Sequence, residues 1–328
     1  MSSRSMNEDD PLEDFAPQEI TLDGVTKRVY VAGSGPAVIV MSEMPGISPY
    51  VARFARWVRD AGFTYMPSLF GRDGAVPGDE EGMEVFRRAC VSCEFRALAA
   101  NESSSVTQWL RALARLAHQQ CGGPGVGAIG MCFTGNFALT MMLEPSLLAP
   151  VLSQPALPLN DPAGLEIAPE DIKAVRDRLE REDLTVLAYR FQGDRFCRAE
   201  RFAAYAAALG DRFVARVLPD NAANPDVAPF FAVRVACPHS VVTAHLIDEA
   251  GPHRRSFGGY SLSLRSDFFD EGDGASLRPR ATLDPGCTRW FLCRRGHPAG
   301  YVAFLNGTAR SDRTDHGPAL PATSIARR

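Results

Sequence analysis

The sequence predicts an α/β protein, a mostly parallel sheet with helices on both faces, and two observations predict it. Short apolar, β-branched runs alternate with longer amphipathic segments along most of the 328 residues, the pattern of parallel strands joined by covering helices. With 45% hydrophobic and 23% charged residues, the chain also has enough apolar material for a full-sized core. No internal repeat interrupts the alternation.

The strand runs fall at 37–41, 127–131, 185–191, 213–218 and 230–236. Between the first two, Val51, Phe54, Ala55 and Val58 form one apolar helical stripe, with Arg53, Arg56 and Arg59 on the other faces. A second helix runs over 106–118, with Trp109, Leu110, Leu113 and Leu116 at helical spacing. A third follows Asp194, carries Phe202, Tyr205, Ala206 and Leu209, and stops at Gly210, a residue suited to helix C-termini. Residues 1–20 are expected to be a disordered acidic tail and 21–253 the folded α/β domain. Residues 254–328 are rich in Arg, Gly, Pro, Asp and Ser, with brief apolar pieces at 290–292 and 301–305. No period is sustained there, so this tail is expected to be poorly ordered.

The net charge is −4 and the arginines are scattered among acids, Lys27 and Lys173 being the only lysines. Without a basic block, a nucleic-acid partner is not expected. The N-terminal segment carries Glu8, Asp9, Asp10, Glu13 and Asp14 and lacks the basic start and apolar run of a secretory signal. No apolar stretch is long enough to cross a bilayer. Eight cysteines without compact, regular spacing do not read as a disulfide framework. The expectation is a soluble, reduced, cytoplasmic protein whose partner is a small molecule. Cys90 and Cys93 have redox or zinc spacing but no matching second pair, and Cys287, Cys293 and His297 lack a fourth ligand. No metal or other cofactor is predicted.

The sharpest local signal is Gly130-Met131-Cys132-Phe133-Thr134-Gly135. A buried strand runs into Gly-x-Cys and then directly into a helix, expected over 133–143, which is the sequence form of a nucleophile elbow. A nucleophile on so tight a turn needs small neighbours and a strained backbone. At a helix N-terminus, the dipole and free N–H groups favour a thiolate, and the following N–H, from Phe133, is placed for an oxyanion hole. On the residues alone, Cys132 could equally be a small core side chain.

Three other strand ends bear on that choice. Run 37–41 leads to Ser42-Glu43-Met44-Pro45-Gly46, run 185–191 to Gln192-Gly193-Asp194, and run 230–236 to Cys237-Pro238-His239. Cys132, Asp194 and His239 thus occur as nucleophile, acid and histidine, each just after a strand, in the α/β-hydrolase order. His253 follows Gly251-Pro252 and is the alternative histidine. His245 lies in a helix-like stretch and reads as structural.

Residues 130–135 resemble the Gly-x-Cys-x-x-Gly elbow of the dienelactone hydrolase family. Glu43 is similar to the family's acid after an early strand, Asp194 to its triad acid and His239 to its histidine, and the similarity spans roughly 31–248. Thr134 departs from the pattern, since the family usually has glycine there. The resemblance implies a cysteine-based hydrolase of a small ester or lactone. Cys132 would attack the carbonyl, Asp194 would orient His239, and Phe133 and Met44 N–H groups would hold the oxyanion. Glu43 would pair with the resting thiol. Arg72 and Arg96 are candidates for holding a substrate anion, against the simpler reading of solvated arginines. Two other classes compete: an inactive α/β-hydrolase scaffold that binds a partner, suggested by the atypical tail, and a thiol-redox protein using Cys90 and Cys93.

Overall fold

The computed structural model describes residues 5–76 and 78–222, and the backbone of 283–292 and 302–309. Eight strands form one sheet: β1 (Ala16–Leu22), β2 (Val25–Gly33), β3 (Ala37–Met41), β4 (Phe63–Pro67), β5 (Val126–Met131), β6 (Leu147–Ser153), β7 (Val186–Phe191) and β8 (Phe213–Leu218). Their order is β1-β2-β4-β3-β5-β6-β7-β8. β1, β2 and β4 pair antiparallel, and every pairing from β4 through β3 to β8 is parallel.

Parallel strands need crossovers that cover both faces, and the central strands show it. Every residue of β3 and β5 is buried. Alternate residues serve two cores: Ile39, Met41 and Ala128 belong to one, and Val38, Val40, Ile129 and Met131 to the other, as the strand period of two requires. Helix α1 (Pro49–Arg59) buries Val51, Ala52, Phe54, Ala55 and Val58 in the second core. Ser48 caps it, its hydroxyl accepting from the Val51 N–H at 3.3 Å, with Pro49 in the first turn. Helices α3 (Val106–Cys121), α5 (Pro169–Arg181) and α6 (Ala199–Leu209) cover the first core through Trp109, Leu110, Leu113, Val175, Leu179, Phe202 and Tyr205. The remaining helices are α2 (Asp79–Val91) and the four-residue α4 (Phe137–Thr140).

Two expectations are corrected. From residue 5 onward, the acidic N-terminal segment is ordered against the domain. Leu12 and Phe15 are buried, Asp10 and Asp14 both pair with Arg56, Asp14 also pairs with Arg59, and β1 begins at Ala16. Composition alone read these acids as solvated; their partners are the arginines on the outer faces of α1. The single helix expected over 133–143 is instead a 3-10 turn at Cys132–Thr134, then α4, then a second 3-10 turn at Met141–Leu143. The strand expected at 230–236 lies outside the described residues. Within the C-terminal segment, Leu283–Leu292 and Val302–Ala309 form an antiparallel pair, β9 and β10, which includes the apolar piece at 290–292 and most of that at 301–305. Among the described residues, no helix is long and apolar enough to cross a membrane.

Candidate active site

The sheet register brings the candidate residues to one edge. Met41 of β3 lies beside Gly130 of β5, Met131 beside Ser153 of β6, and Ser153 beside Tyr189 of β7. Glu43, Cys132, Gln154 and Asp194 therefore all leave the sheet at the C-terminal ends of its central strands, the edge where open α/β sheets bind ligands.

Cys132 has φ 53°, a left-handed conformation that costs a non-glycine residue about 1–3 kcal/mol and persists only when its surroundings enforce it. Its carbonyl accepts from the Gly135 N–H at 3.0 Å and the Ala156 N–H at 2.9 Å. The flanking glycines are required by contact. A Cβ on Gly130 would stand 2.2 Å from the Thr134 carbonyl oxygen, and one on Gly135 would stand 2.5 Å from the Pro155 Cα. Among the described residues Cys132 is in no disulfide, and it is half-buried.

The helix that follows Cys132 supplies little dipole at the sulfur. The first α-helical turn starts only at Phe137 and runs four residues, too short for a sizeable macrodipole. What remains is the local turn and the Phe133 amide, held rigidly because the Phe133 ring is buried edge-on against Phe70, Phe86 and Phe95. Met44 is buried in the loop after β3, where the Gly46 N–H returns to the Glu43 carbonyl at 2.9 Å.

Asp194 is buried, and its Oδ1 accepts from the Phe196 and Cys197 N–H groups, both at 2.9 Å. The preceding Gly193 N–H donates to Asp220 Oδ1 at 2.7 Å. Backbone thus fixes the orientation of this carboxylate. Burial first, and then the Asp194 charge, push the Cys197 thiol well above the usual range. Burial also raises Cys90 and Cys121. Cys90 and Cys93 are both free. Among the described residues, no group of three His, Cys, Asp or Glu side chains could hold a metal.

Three features of this edge escaped the sequence reading. Gln154, fully buried at φ 37°, donates its backbone N–H to the Tyr189 carbonyl at 2.7 Å and its Nε2 to Glu43 at 3.3 Å. The Ser153 hydroxyl donates to Gln154 Oε1. Beneath the elbow, the buried Glu166 carboxyl accepts from the Ser104 N–H at 2.6 Å and Asn136 Nδ2 at 2.8 Å, while Asn136 Oδ1 accepts from the Tyr205 hydroxyl at 2.5 Å. Burial pushes the Glu166 carboxyl up to about 7. The third is the Thr134 hydroxyl, which sits among backbone groups of two strands. A positive-φ Gln and a buried Glu carry no sequence signature; Thr134 was visible only as a departure.

Arg72 and Arg96 both face carboxylates. Arg72 pairs with Asp9 at 2.5 Å and Glu81 at 3.7 Å, and Arg96 with Glu102 at 3.3 Å. Arg72 also borders an open groove of about 610 Å³, together with Phe70, Val85, Arg88 and Phe95. His239 and His253 lie outside the described residues.

The sheet order, the helices on both faces and the strained cysteine turn after β5 define an α/β-hydrolase fold. Residues 24–163 match the model of the dienelactone hydrolase family. No curated protein matches the sequence. Similar solved structures include a dienelactone hydrolase-like promiscuous phosphotriesterase, P91, from metagenomic libraries. It is 15% identical with a TM-score of 0.49, covering 74% of this chain and 98% of that one. Est1E from Butyrivibrio proteoclasticus is 12% identical with a TM-score of 0.43, covering 73% of this chain and 99% of that one. TT1662 from Thermus thermophilus is 13% identical with a TM-score of 0.41, covering 72% and 97%.

Proposed function

We propose that this protein hydrolyses a small carboxylic ester or lactone with Cys132 as nucleophile. The observation that carries the reading is the φ of 53° at Cys132, on a turn between the strand ends that bear Glu43 and Asp194. Strain at a cysteine, enforced by two glycines that admit no side chain, is hard to explain by packing alone.

In the proposed cycle, the Cys132 thiol gives its proton to the histidine, which becomes an imidazolium, and the sulfur attacks the substrate carbonyl carbon. The carbonyl oxygen becomes an oxyanion held by the Phe133 and Met44 N–H groups. Collapse expels the alkoxide, which takes a proton from the histidine, and leaves a thioester on Cys132. Water, deprotonated by the same histidine, then releases the acid and regenerates the thiol. Asp194 orients and stabilises that imidazolium; His239 is the proposed histidine, with His253 the alternative. Glu43 pairs with the resting thiol. Arg72, which borders the groove beside Phe70 and Phe95, is the arginine proposed to meet a substrate anion, with Arg96 the alternative. Such an anion would compete with Asp9 for the Arg72 guanidinium.

The test is hydrolysis of p-nitrophenyl acetate by wild type and by folded Cys132→Ala. Loss of activity in the variant supports the reading; equal rates in the two sink it. Parallel assays of His239→Ala and His253→Ala then assign the histidine.

A further inference from the structure

Thr134 stands two residues beyond the nucleophile, is fully buried, and makes a set of contacts that joins the elbow to the neighbouring strand. Its Oγ1 accepts the Met131 N–H at 2.9 Å. Its single proton faces three carbonyls, those of Met131 at 3.0 Å and of Met41 and Ser42 at 3.1 Å each. Met131 is the residue before Cys132; Met41 and Ser42 are the last two before Glu43 and Met44. One hydroxyl therefore connects the backbone that presents the sulfur to the backbone that presents the acid and one proposed oxyanion donor.

The arrangement matters because it joins the C-terminal ends of two strands. β3 and β5 are in register through Met41 and Gly130, and beyond that point the two chains turn away into loops. A buried N–H or carbonyl that loses a partner costs about 1–3 kcal/mol, and the Thr134 hydroxyl is a partner to such groups on both strands. The approach is close: the Gly130 position tolerates no Cβ because the Thr134 carbonyl oxygen is there.

Resting on the hydrolase reading above, we infer that Thr134 is a positioning residue whose hydroxyl sets the relative placement of Cys132 and the Glu43–Met44 loop. It touches neither substrate nor the reacting atoms. It acts through the backbone of Met131 on one side and of Met41 and Ser42 on the other. Removing the hydroxyl should therefore slow chemistry more than it weakens substrate binding.

The experiment compares wild type, Thr134→Val and Thr134→Ser in steady-state hydrolysis of p-nitrophenyl acetate, with folding checked by near-ultraviolet circular dichroism. Val keeps the branched shape and deletes the hydroxyl; Ser keeps the hydroxyl. The expected result is a kcat lowered about 10- to 100-fold in Thr134→Val, with KM changed less than about threefold, and near-wild-type kcat in Thr134→Ser. Should Thr134→Val not fold, Thr134→Ala removes the hydroxyl without a branched replacement. Wild-type kcat in the folded hydroxyl-free variant overturns the inference while leaving the hydrolase reading intact. If wild type itself shows no Cys132-dependent hydrolysis, that reading has failed, and the alkylation rate of Cys132 by iodoacetamide, read by mass spectrometry of its peptide, tests Thr134 separately. A rate altered about threefold or more in the hydroxyl-free variant and restored in Thr134→Ser supports the positioning role; equal rates in all three overturn it.

Discussion

Gln154 Nε2 lies 3.3 Å from Glu43 Oε2, although the two residues follow strands that are not neighbours. β5 runs between β3 and β6, so the contact spans two strand spacings, about 10 Å of sheet, and closes beside the Cys132 turn. Gln154 keeps a positive φ and full burial in doing so. Glu43 is thus contacted by a side chain from across β5, the strand that leads into Cys132. Replacing Gln154 with Leu is expected to leave Glu43 misdirected and Ser153 without its acceptor. The predicted effect is a kcat about tenfold lower and a modest drop in Tm, checked by steady-state kinetics and thermal unfolding.

The elbow glycines give the most direct stability prediction. Gly130→Ala puts a methyl 2.2 Å from the Thr134 carbonyl oxygen, and that neighbour is backbone inside a buried turn. The turn must open or the strand must shift. A loss of about 2 kcal/mol or more is expected, measurable as a lower urea midpoint. A wild-type midpoint would mean that the turn is not closed as described.

Glu166 predicts a pH dependence of unusual sign for a carboxyl. Burial raises its pKa in the folded protein from 4.5 to about 7. Between those values the folded state binds a proton that the unfolded state has lost. Its contribution to stability is therefore fully present below about pH 4.5 and is lost as pH rises toward about 7. Urea titrations across that window should show stability declining from this group, and Glu166→Gln should flatten the decline. An unchanged slope in the variant would remove Glu166 as its source.

Asp14 has the opposite sign. Hydrogen bonds from Arg56 lead the causes that hold its carboxyl well below the usual carboxylate range. Its stabilisation is present above the unfolded value, near pH 4, and is lost on further acidification. Asp14→Asn should destabilise the fold by about 1 kcal/mol at neutral pH and low salt, less at high salt, and should expose the first fifteen or so residues to limited proteolysis. Resistance equal to wild type would show that Leu12 and Phe15 hold this segment without the ion pairs.

What the sequence disclosed follows from where single residues carry enough constraint. The runs behind β3 and β5 are apolar and uninterrupted, and those behind β7 and β8 are broken only by Arg190 and Arg216. Although β8 buries only its two end residues, the bounds of all four were therefore legible to within a residue. β6 was not, because Pro150 sits in its middle and reads as a breaker. The sheet accommodates it: pairing with β7 begins only at Val151. The positions of Cys132, Glu43 and Asp194 were legible because each follows a strand, and the register brings those strand ends to one edge. The broken helix after Cys132 was missed because its apolar residues allow a helix, while the turn is decided by contacts of Thr134 and Asn136 with distant backbone and side chains. The docking of residues 5–15 was missed for a related reason. Acids that look solvated in isolation have arginine partners some forty residues away.

The central claim is that Cys132 becomes acylated. The most direct measurement is rapid quenching of wild-type protein with p-nitrophenyl acetate, followed by mass spectrometry of the peptide containing Cys132. An acetyl thioester on Cys132 that forms and decays at rates compatible with turnover is the predicted result. Steady turnover with Cys132 unmodified, or an adduct confined to another residue, would contradict it.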